Sequence, residues 1–148
     1  MNVKKTLALI VSAAMAAGLA QQFANAQQDQ NQRRKAFEAS KALTKLGDYG
    51  EAVEVLEPLA DAGDELAIYT IGVLYATGGE GLKQDYNKSF TYYQKGADKR
   101  HAGSMRQVGV AYANGWGVAA NPTMAQQWYE NAANRGDEIG RASCRERV

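Results

Sequence analysis

Apolar side chains recur at helical spacing along most of this chain, in runs that short polar or glycine-rich segments separate. The spacing predicts one helix that ends at Leu46 and a second that ends before Gly63, with Pro58 either kinking that helix or delaying its start. Beyond Asp64 it predicts two more pairs of helices, each pair joined by a loop too rich in glycine for regular structure. No stretch has the alternation typical of a strand, so the chain is predicted to be all-α.

Two successive stretches of the chain share the same glycine and aromatic positions. Three of these positions recur 37 residues later: Gly72, Tyr75 and Gly78 correspond to Gly109, Tyr112 and Gly115. After a one-residue shift six more positions match: Gly81, Asp85, Ser89, Tyr92, Tyr93 and Ala97 correspond to Gly117, Asn121, Ala125, Trp128, Tyr129 and Ala133. A step of roughly 20–50 residues is typical of a stacked array, because one unit cannot bury its apolar face alone. The repeat therefore favours a binding scaffold.

The repeated glycines need a physical reason, since glycine inside a helix costs about 1 kcal/mol relative to alanine. Close approach of the partner helix would compensate, with the small residues Ser89 and Ala125 facing Gly72 and Gly109. Aromatic rings would then fill the space between successive hairpins, a role predicted for Tyr75, Tyr93, Tyr112 and Tyr129. Replacing Gly109 by leucine is predicted to separate its two helices and unfold the third unit.

The string PLADAGDELAIYTIGVLYATGGEG at 58–81, and VGVAYANGWGV at 108–118 with the Trp128-Tyr129 pair after it, resemble the suppressor/enhancer-of-lin or Sel-like repeat. That family is related to the tetratricopeptide repeat. The resemblance covers roughly residues 33–137 and implies an α-solenoid of about three stacked helix-turn-helix repeats that form a right-handed superhelix. The units are a tetratricopeptide-like hairpin at 33–63 and Sel-like repeats at 64–100 and 101–137. Arg100 stands where Gly63 and Gly136 occupy the equivalent turn, which predicts a distortion there.

The N-terminus is predicted to be a signal peptide over residues 1–26. Lys4 and Lys5 form a positive region, residues 6–19 are apolar, and Ala24 and Ala26 offer small side chains for cleavage. The apolar run is shorter than the roughly 20 residues of a membrane span, so no stable membrane insertion is expected. Residues 27–32 are predicted to be a disordered polar linker. We therefore expect an exported protein, periplasmic or secreted, of a bacterial cell envelope.

The C-terminal residues 138–148, EIGRASCRERV, match codon for codon the translation of a common sequencing-library adapter. We interpret this segment as an artefact that interrupts the repeat array, so Cys144 carries no functional weight.

Charge and composition narrow the possible functions. Residues 27–137 contain 12 basic and 14 acidic side chains, a formal charge of −2, which gives no basic field for nucleic acid. His101 is the only histidine, so a multi-histidine metal site is excluded. The loop at 78–81 lacks the spacing of a P-loop, and the acids Asp61, Asp64 and Glu65 suit a helix start better than catalysis. We predict no enzymatic activity, no metal and no cofactor.

The resemblance implies that the first helices of successive hairpins line a concave face that binds a protein or peptide. With Gly72 and Gly109 setting the helical phase, the outward positions are Tyr69, Thr70, Val73, Thr77, Arg106, Gln107, Val110 and Asn114. Trp116 at a loop tip is predicted to be an exposed contact residue. The alternative is a glycan-binding accessory factor of the cell envelope that uses Trp116, Trp128 and the tyrosines.

Overall fold

The computed structural model describes residues 3–136, with side chains from residue 21 onward apart from residue 23. The interpretation of residues 138–148 as an adapter translation lies outside the described residues. The chain divides into two compact units between Ala36 and Phe37. The first unit contains most of the N-terminal helix, and the second contains the hairpins that concern function.

Six α-helices make up the described part of the chain: α1 Val3–Leu46, α2 Tyr49–Asp61, α3 Glu65–Thr77, α4 Tyr86–Asp98, α5 Ala102–Asn114 and α6 Pro122–Asn134. Between residues 3 and 136 there is no strand, only two isolated bridges in the loops. The prediction of an all-α repeat fold is confirmed. Pro58 lies inside α2, so that helix does not start late.

The polar linker at 27–32 differs from its prediction. These residues continue helix α1, and their side chains are exposed. Four of the six are glutamine, a good helix former, and a helix can continue through such residues without burying a face. The expectation of disorder there was wrong, because it treated the lack of burial as a lack of secondary structure. Among the described residues, no helix is both long enough and apolar enough to cross a membrane.

Each helix of the second unit after α1 begins at a side chain that accepts a hydrogen bond from the first turn. These capping residues are Asp48, Asp64, Asp85, His101 and Asn121. The first four amides of a helix have no partner within it, so each cap stabilises a helix start. Pro122 occupies the first position of α6, where its missing amide costs nothing.

The turns between hairpins share one backbone conformation. Gly63 has φ +88° and Gly136 has φ +96°, and Arg100 adopts the same left-handed region with φ +64°. The His101 amide donates to the Gly96 carbonyl at 3.0 Å, just as the Asp64 amide donates to the Leu59 carbonyl at 2.9 Å. The predicted distortion at Arg100 is therefore wrong, because the turn keeps its form and the arginine takes the conformational cost.

Glycine lets the paired helices approach closely within the second and third hairpins. A Cβ on Gly72 would lie 2.7 Å from Cε1 of Tyr93, and one on Gly109 would lie 2.8 Å from Cε1 of Tyr129. The Ser89 hydroxyl also donates to the Gly72 carbonyl at 2.8 Å, in a buried position. Both glycines are thus required by close contact, as predicted, although the nearest atoms belong to tyrosine rings of the same hairpin.

Two apolar clusters join successive hairpins. The first connects α2 to α3 through Ala52, Val53, Leu56, Ala67, Ile71 and Leu74. The second connects α4, α5 and α6 through Tyr93, Ala97, Met105, Val108 and Ala132. The Phe90 and Tyr112 rings meet edge to face between α4 and α5, with 5.7 Å between centroids. The tyrosines therefore pack both within and between hairpins, whereas they were predicted to pack only between them.

The loops of the second and third hairpins stack on the hairpin that precedes them. Gly81 lies on Gly50, and a Cβ on Gly50 would come within 2.8 Å of the Gly81 carbonyl oxygen. The amides of Tyr49 and Gly50 donate to the Glu80 carbonyl at 3.0 and 3.1 Å. Gly117 packs in the same way on the Tyr86 carbonyl, with no room for a Cβ. These backbone contacts fix the spacing of consecutive hairpins.

Candidate partner-binding groove

A cavity of about 210 Å³ lies between the second and third hairpins. We call it the central cavity, and its walls come from α3, α4, α5 and the loop that follows α5. Its lining residues are Val73, Ala76, Thr77, Tyr86, Ser89, Phe90, Tyr93, Gln107, Val110, Ala111 and Trp116. The structure thus brings together Val73, Thr77, Gln107, Val110 and Trp116 from the predicted contact residues.

Aromatic rings form one wall of the central cavity. The Trp116 indole stacks on the Tyr86 ring with 5.2 Å between centroids and 15° between planes. The Trp116 side chain is nevertheless 44% exposed, which confirms its predicted exposure. Since large aromatic side chains carry much of the energy of protein recognition, this wall is suited to holding a partner's side chain.

Three of the polar residues predicted as contacts donate hydrogen bonds within their own helices. The Thr77 hydroxyl donates to the Val73 carbonyl at 2.9 Å, and the side-chain amide of Asn114 donates to the Val110 carbonyl at 2.9 Å. The Thr70 hydroxyl donates to the Leu66 carbonyl at 2.7 Å. Because these donors are satisfied internally, the surface is more apolar in character than its residue types indicate.

A second cavity, of about 430 Å³, adjoins the central one. We call it the N-terminal cavity, and it lies between α3 and the part of α1 that belongs to the second unit. Its lining residues are Phe37, Glu38, Ser40, Lys41, Thr44, Lys45, Thr70, Val73 and Leu74. Val73 lines both cavities, so they lie next to each other, and we call the two cavities together the groove.

Three predicted contact residues, Tyr69, Arg106 and Asn114, do not line either cavity. The Tyr69 ring lies near Tyr93, at 6.0 Å between centroids, and near His101, at 5.1 Å. Burial raises the pKa of Tyr93 to about 12. A hydrogen bond with Ser89 and the positive charge of Arg106 both lower this pKa, but by less than burial raises it. Tyr69 and Arg106 therefore lie beside the aromatic cluster that holds α3, α4 and α5 together.

His101 begins helix α5. Its Nδ1 accepts a hydrogen bond from the Ser104 amide at 3.1 Å and lies 2.9 Å from the Ser104 hydroxyl. Asp64 has the corresponding role in α3, where it accepts from the amides of Leu66 and Ala67. Among residues 3–136, no group of three or more histidine, cysteine or acidic side chains could hold a metal ion.

Residues that sequence reasoning missed come mostly from the first hairpin. Phe37, Lys41 and Lys45 line the N-terminal cavity, but the first hairpin lacks the glycine that set the helical phase in the later units. Tyr86 and Phe90 were missed because they follow the loop, outside the first helices. The aromatic residues of the glycan alternative do not form one stack, since Tyr92 stacks on Tyr75 with 5.7 Å between centroids, whereas Trp116 stacks on Tyr86.

The Sel1 repeat family model matches residues 66–101 and 102–137. These repeats coincide with the second and third hairpins, within two residues of the predicted boundaries. The second and third hairpins are Sel1 repeats, and the predicted resemblance is confirmed.

Two curated relatives come from Arabidopsis thaliana. The ERAD-associated E3 ubiquitin-protein ligase component HRD3B is 32% identical over 95 residues, which cover 64% of this chain and 15% of the relative. Component HRD3A is 38% identical over 71 residues, covering 48% of this chain and 10% of the relative. The chain thus spans a small part of the length of these relatives.

Solved structures of repeat proteins share the fold. A Sel1 repeat protein from Oxalobacter formigenes superimposes with a TM-score of 0.67 at 27% identity, over 76% of this chain and 46% of that one. A protective antigen of uropathogenic Escherichia coli with an SLR fold gives 0.60 at 28% identity, over 74% and 26%. Helicobacter pylori cysteine rich protein B gives 0.60 at 19% identity, over 74% and 92%, which shows the fold alone.

Proposed function

We propose that this protein is an exported scaffold that binds a segment of a partner protein in the groove formed by its central and N-terminal cavities. The observation that carries the proposal is that Val73 lines both cavities, so an apolar cavity and an aromatic one lie side by side. Two adjoining pockets suit a chain segment that inserts side chains in succession, as peptides do in helical grooves. The relatives named as components of a ubiquitin ligase are consistent with a role in an assembly.

Affinity capture tests the groove. Immobilised full-length protein is compared with a Val73→Arg/Val110→Arg variant, which places charge in both cavities, and with Gln127→Arg on the exposed surface of α6 as a matched control. Wild type and control should retain the same proteins from cell extract, and the double variant should lose them. Circular dichroism melting verifies that each variant is folded. Unchanged capture by the folded double variant would refute the groove as the binding surface.

Export is tested separately. In a bacterial host the full-length protein should be recovered from the periplasm or medium with a new N-terminus at Gln27, since the signal peptide is proposed to be cleaved after Ala26. N-terminal sequencing of the recovered protein measures this directly. An intact Met1 in a cytoplasmic fraction would refute it.

A second candidate function is binding of cell-wall glycan, which the exposed and stacked Trp116 ring favours. Sugars stack on such rings in water. Muropeptides should then shift tryptophan fluorescence where unrelated peptides of the same charge do not. If a Trp116→Leu variant keeps the full fluorescence shift, the shift comes from Trp128. Trp116 would then no longer support glycan binding.

A further inference from the structure

Charge is distributed unequally between the two helices of each hairpin. The first helices, over residues 37–46, 65–77 and 102–114, contain three bases and two acids. The second helices, α2, α4 and α6, contain two bases and six acids. The first helices, which supply most of the groove's lining residues, therefore carry a net charge of +1 in a region whose net charge is negative.

Two of the three bases lie at the N-terminal cavity. Lys41 and Lys45 are one helical turn apart, both are exposed, and both line the cavity together with a single acid, Glu38. Neither lysine forms an ion pair with any carboxylate that the structure describes. Each ammonium group is thus available to an anionic group bound beside the cavity.

The interior of the N-terminal cavity is apolar. Phe37, Val73 and Leu74 contribute hydrocarbon surface, and Leu74 belongs to the first apolar cluster. The hydroxyls of Thr44 and Thr70 donate to the backbone carbonyls of Ser40 and Leu66, both at 2.7 Å. Neither hydroxyl therefore needs a hydrogen-bond acceptor from a ligand. The cavity therefore offers apolar contact inside and positive charge at its rim.

Resting on the proposed function, we propose that the groove recognises an acidic amphipathic segment of a partner protein. One bulky apolar side chain of that segment fills the N-terminal cavity, and an aspartate or glutamate beside it pairs with Lys41 and Lys45. A second apolar side chain of the segment enters the central cavity and packs against Trp116. Val73 lies between the two cavities and so between these two side chains. Charge complementarity of this kind selects a partner and accelerates association.

A protein segment fits these features better than a polyanion does. Nucleic acids and anionic membranes bind extended fields of several cations, whereas this rim has two lysines beside one glutamate. A polyanion would also leave both apolar cavities unfilled. The combination of isolated charge and apolar pockets indicates a segment with both kinds of side chain.

A random twelve-residue peptide library displayed on phage and selected on the full-length protein tests the inference. The selected peptides should be enriched in aspartate and glutamate next to leucine, methionine, isoleucine or phenylalanine. Synthetic versions should bind Lys41→Glu/Lys45→Glu about tenfold more weakly at low salt, because charge reversal replaces two attractions by repulsions. The matched control, Lys83→Glu/Lys99→Glu, changes the net charge equally outside the groove and should bind normally.

The outcomes separate this inference from the proposed function. If selected peptides are neutral or basic, or bind both charge variants equally, the acidic specificity is wrong; loss of binding in Val73→Arg/Val110→Arg would then still support the groove. If no peptide is enriched, both proposals fail. Binding of phosphatidylserine vesicles that depends on Lys41 and Lys45 would assign the rim to a membrane surface and overturn the peptide inference.

Discussion

The contact between Gly109 and Tyr129 gives the sharpest test of how the repeat is packed. Substituting alanine for a glycine within a helix ordinarily stabilises the helix by about 1 kcal/mol. Here the added Cβ would lie 2.8 and 2.9 Å from two atoms of the Tyr129 ring and 3.2 Å from the Ala125 carbonyl oxygen. Ordinary carbon contacts are roughly 3.5–4 Å, so the methyl group has no room.

The surroundings of Gly109 cannot relax cheaply. The Tyr129 side chain is only 6% exposed, and the third obstacle is a backbone oxygen. Overpacking of this kind costs about 1–3 kcal/mol, which outweighs the gain in helix propensity. We therefore expect Gly109→Ala to lower the free energy of unfolding by about 1 kcal/mol.

A double-mutant cycle with Tyr129→Leu isolates this contact. Once the ring is gone, the same Gly109→Ala change should stabilise the protein by up to about 1 kcal/mol, so the sign of its effect reverses. The loss caused by Tyr129→Leu itself cancels in the comparison. An effect of equal sign and size in both backgrounds would refute the argument that the tyrosine ring requires the glycine.

Urea denaturation followed by two probes provides the assay. Both tryptophans of the chain, Trp116 and Trp128, belong to the third hairpin, so their fluorescence reports that hairpin. Far-ultraviolet circular dichroism reports all the helices. Repeat units are stabilised by their neighbours and can unfold separately, so coincidence of the two transitions must be checked before a two-state fit.

Three further predictions concern turns, caps and alkaline stability. Arg100→Gly should raise the free energy of unfolding by about 0.5–1 kcal/mol in urea denaturation, since the left-handed conformation is unfavourable for arginine and not for glycine. A lower free energy of unfolding in this variant would contradict the reasoning. Asp64→Ala should cost about 1 kcal/mol in the same assay, with Asp64→Asn as the near-neutral control. The pKa of Tyr93 is about 12 instead of 10.0, so stability should fall between these pH values, where the unfolded chain deprotonates first. Tyr93→Phe should reduce that fall, and an unchanged pH profile would refute the assignment.

Helix positions and the glycine contacts could be predicted from the sequence because they follow from local spacing. Gly72 and Gly109 stand out because glycine is unfavourable inside a helix, so only a close neighbour explains its repetition. The stacking of Gly81 on Gly50 could not be predicted in this way. It depends on how two hairpins meet, and the residues involved are 31 positions apart with no shared pattern.

The candidate site was predictable where the two Sel1 repeats resemble each other and less so elsewhere. Val73 and Val110 line the central cavity because the glycine phase places both on the same side of their helices. Tyr69 has a suitable phase too, but its large ring turns toward Tyr93 and His101 instead of the cavity. Helical phase gives the direction of a Cα–Cβ bond, whereas the neighbours decide where a long side chain ends.

The loop stacking has a consequence for how such proteins can diversify. Hairpin spacing is set by backbone atoms of Gly81 and Gly117, which lie against the preceding hairpin without intervening side chains. Surface residues can then change freely while the curvature of the array is preserved. A single methyl group at Gly50, where it would lie 2.8 Å from the Gly81 carbonyl oxygen, or at Gly117, where the Tyr86 carbonyl leaves no room, would instead wedge neighbouring hairpins apart. These two positions therefore limit how closely consecutive repeats can stack.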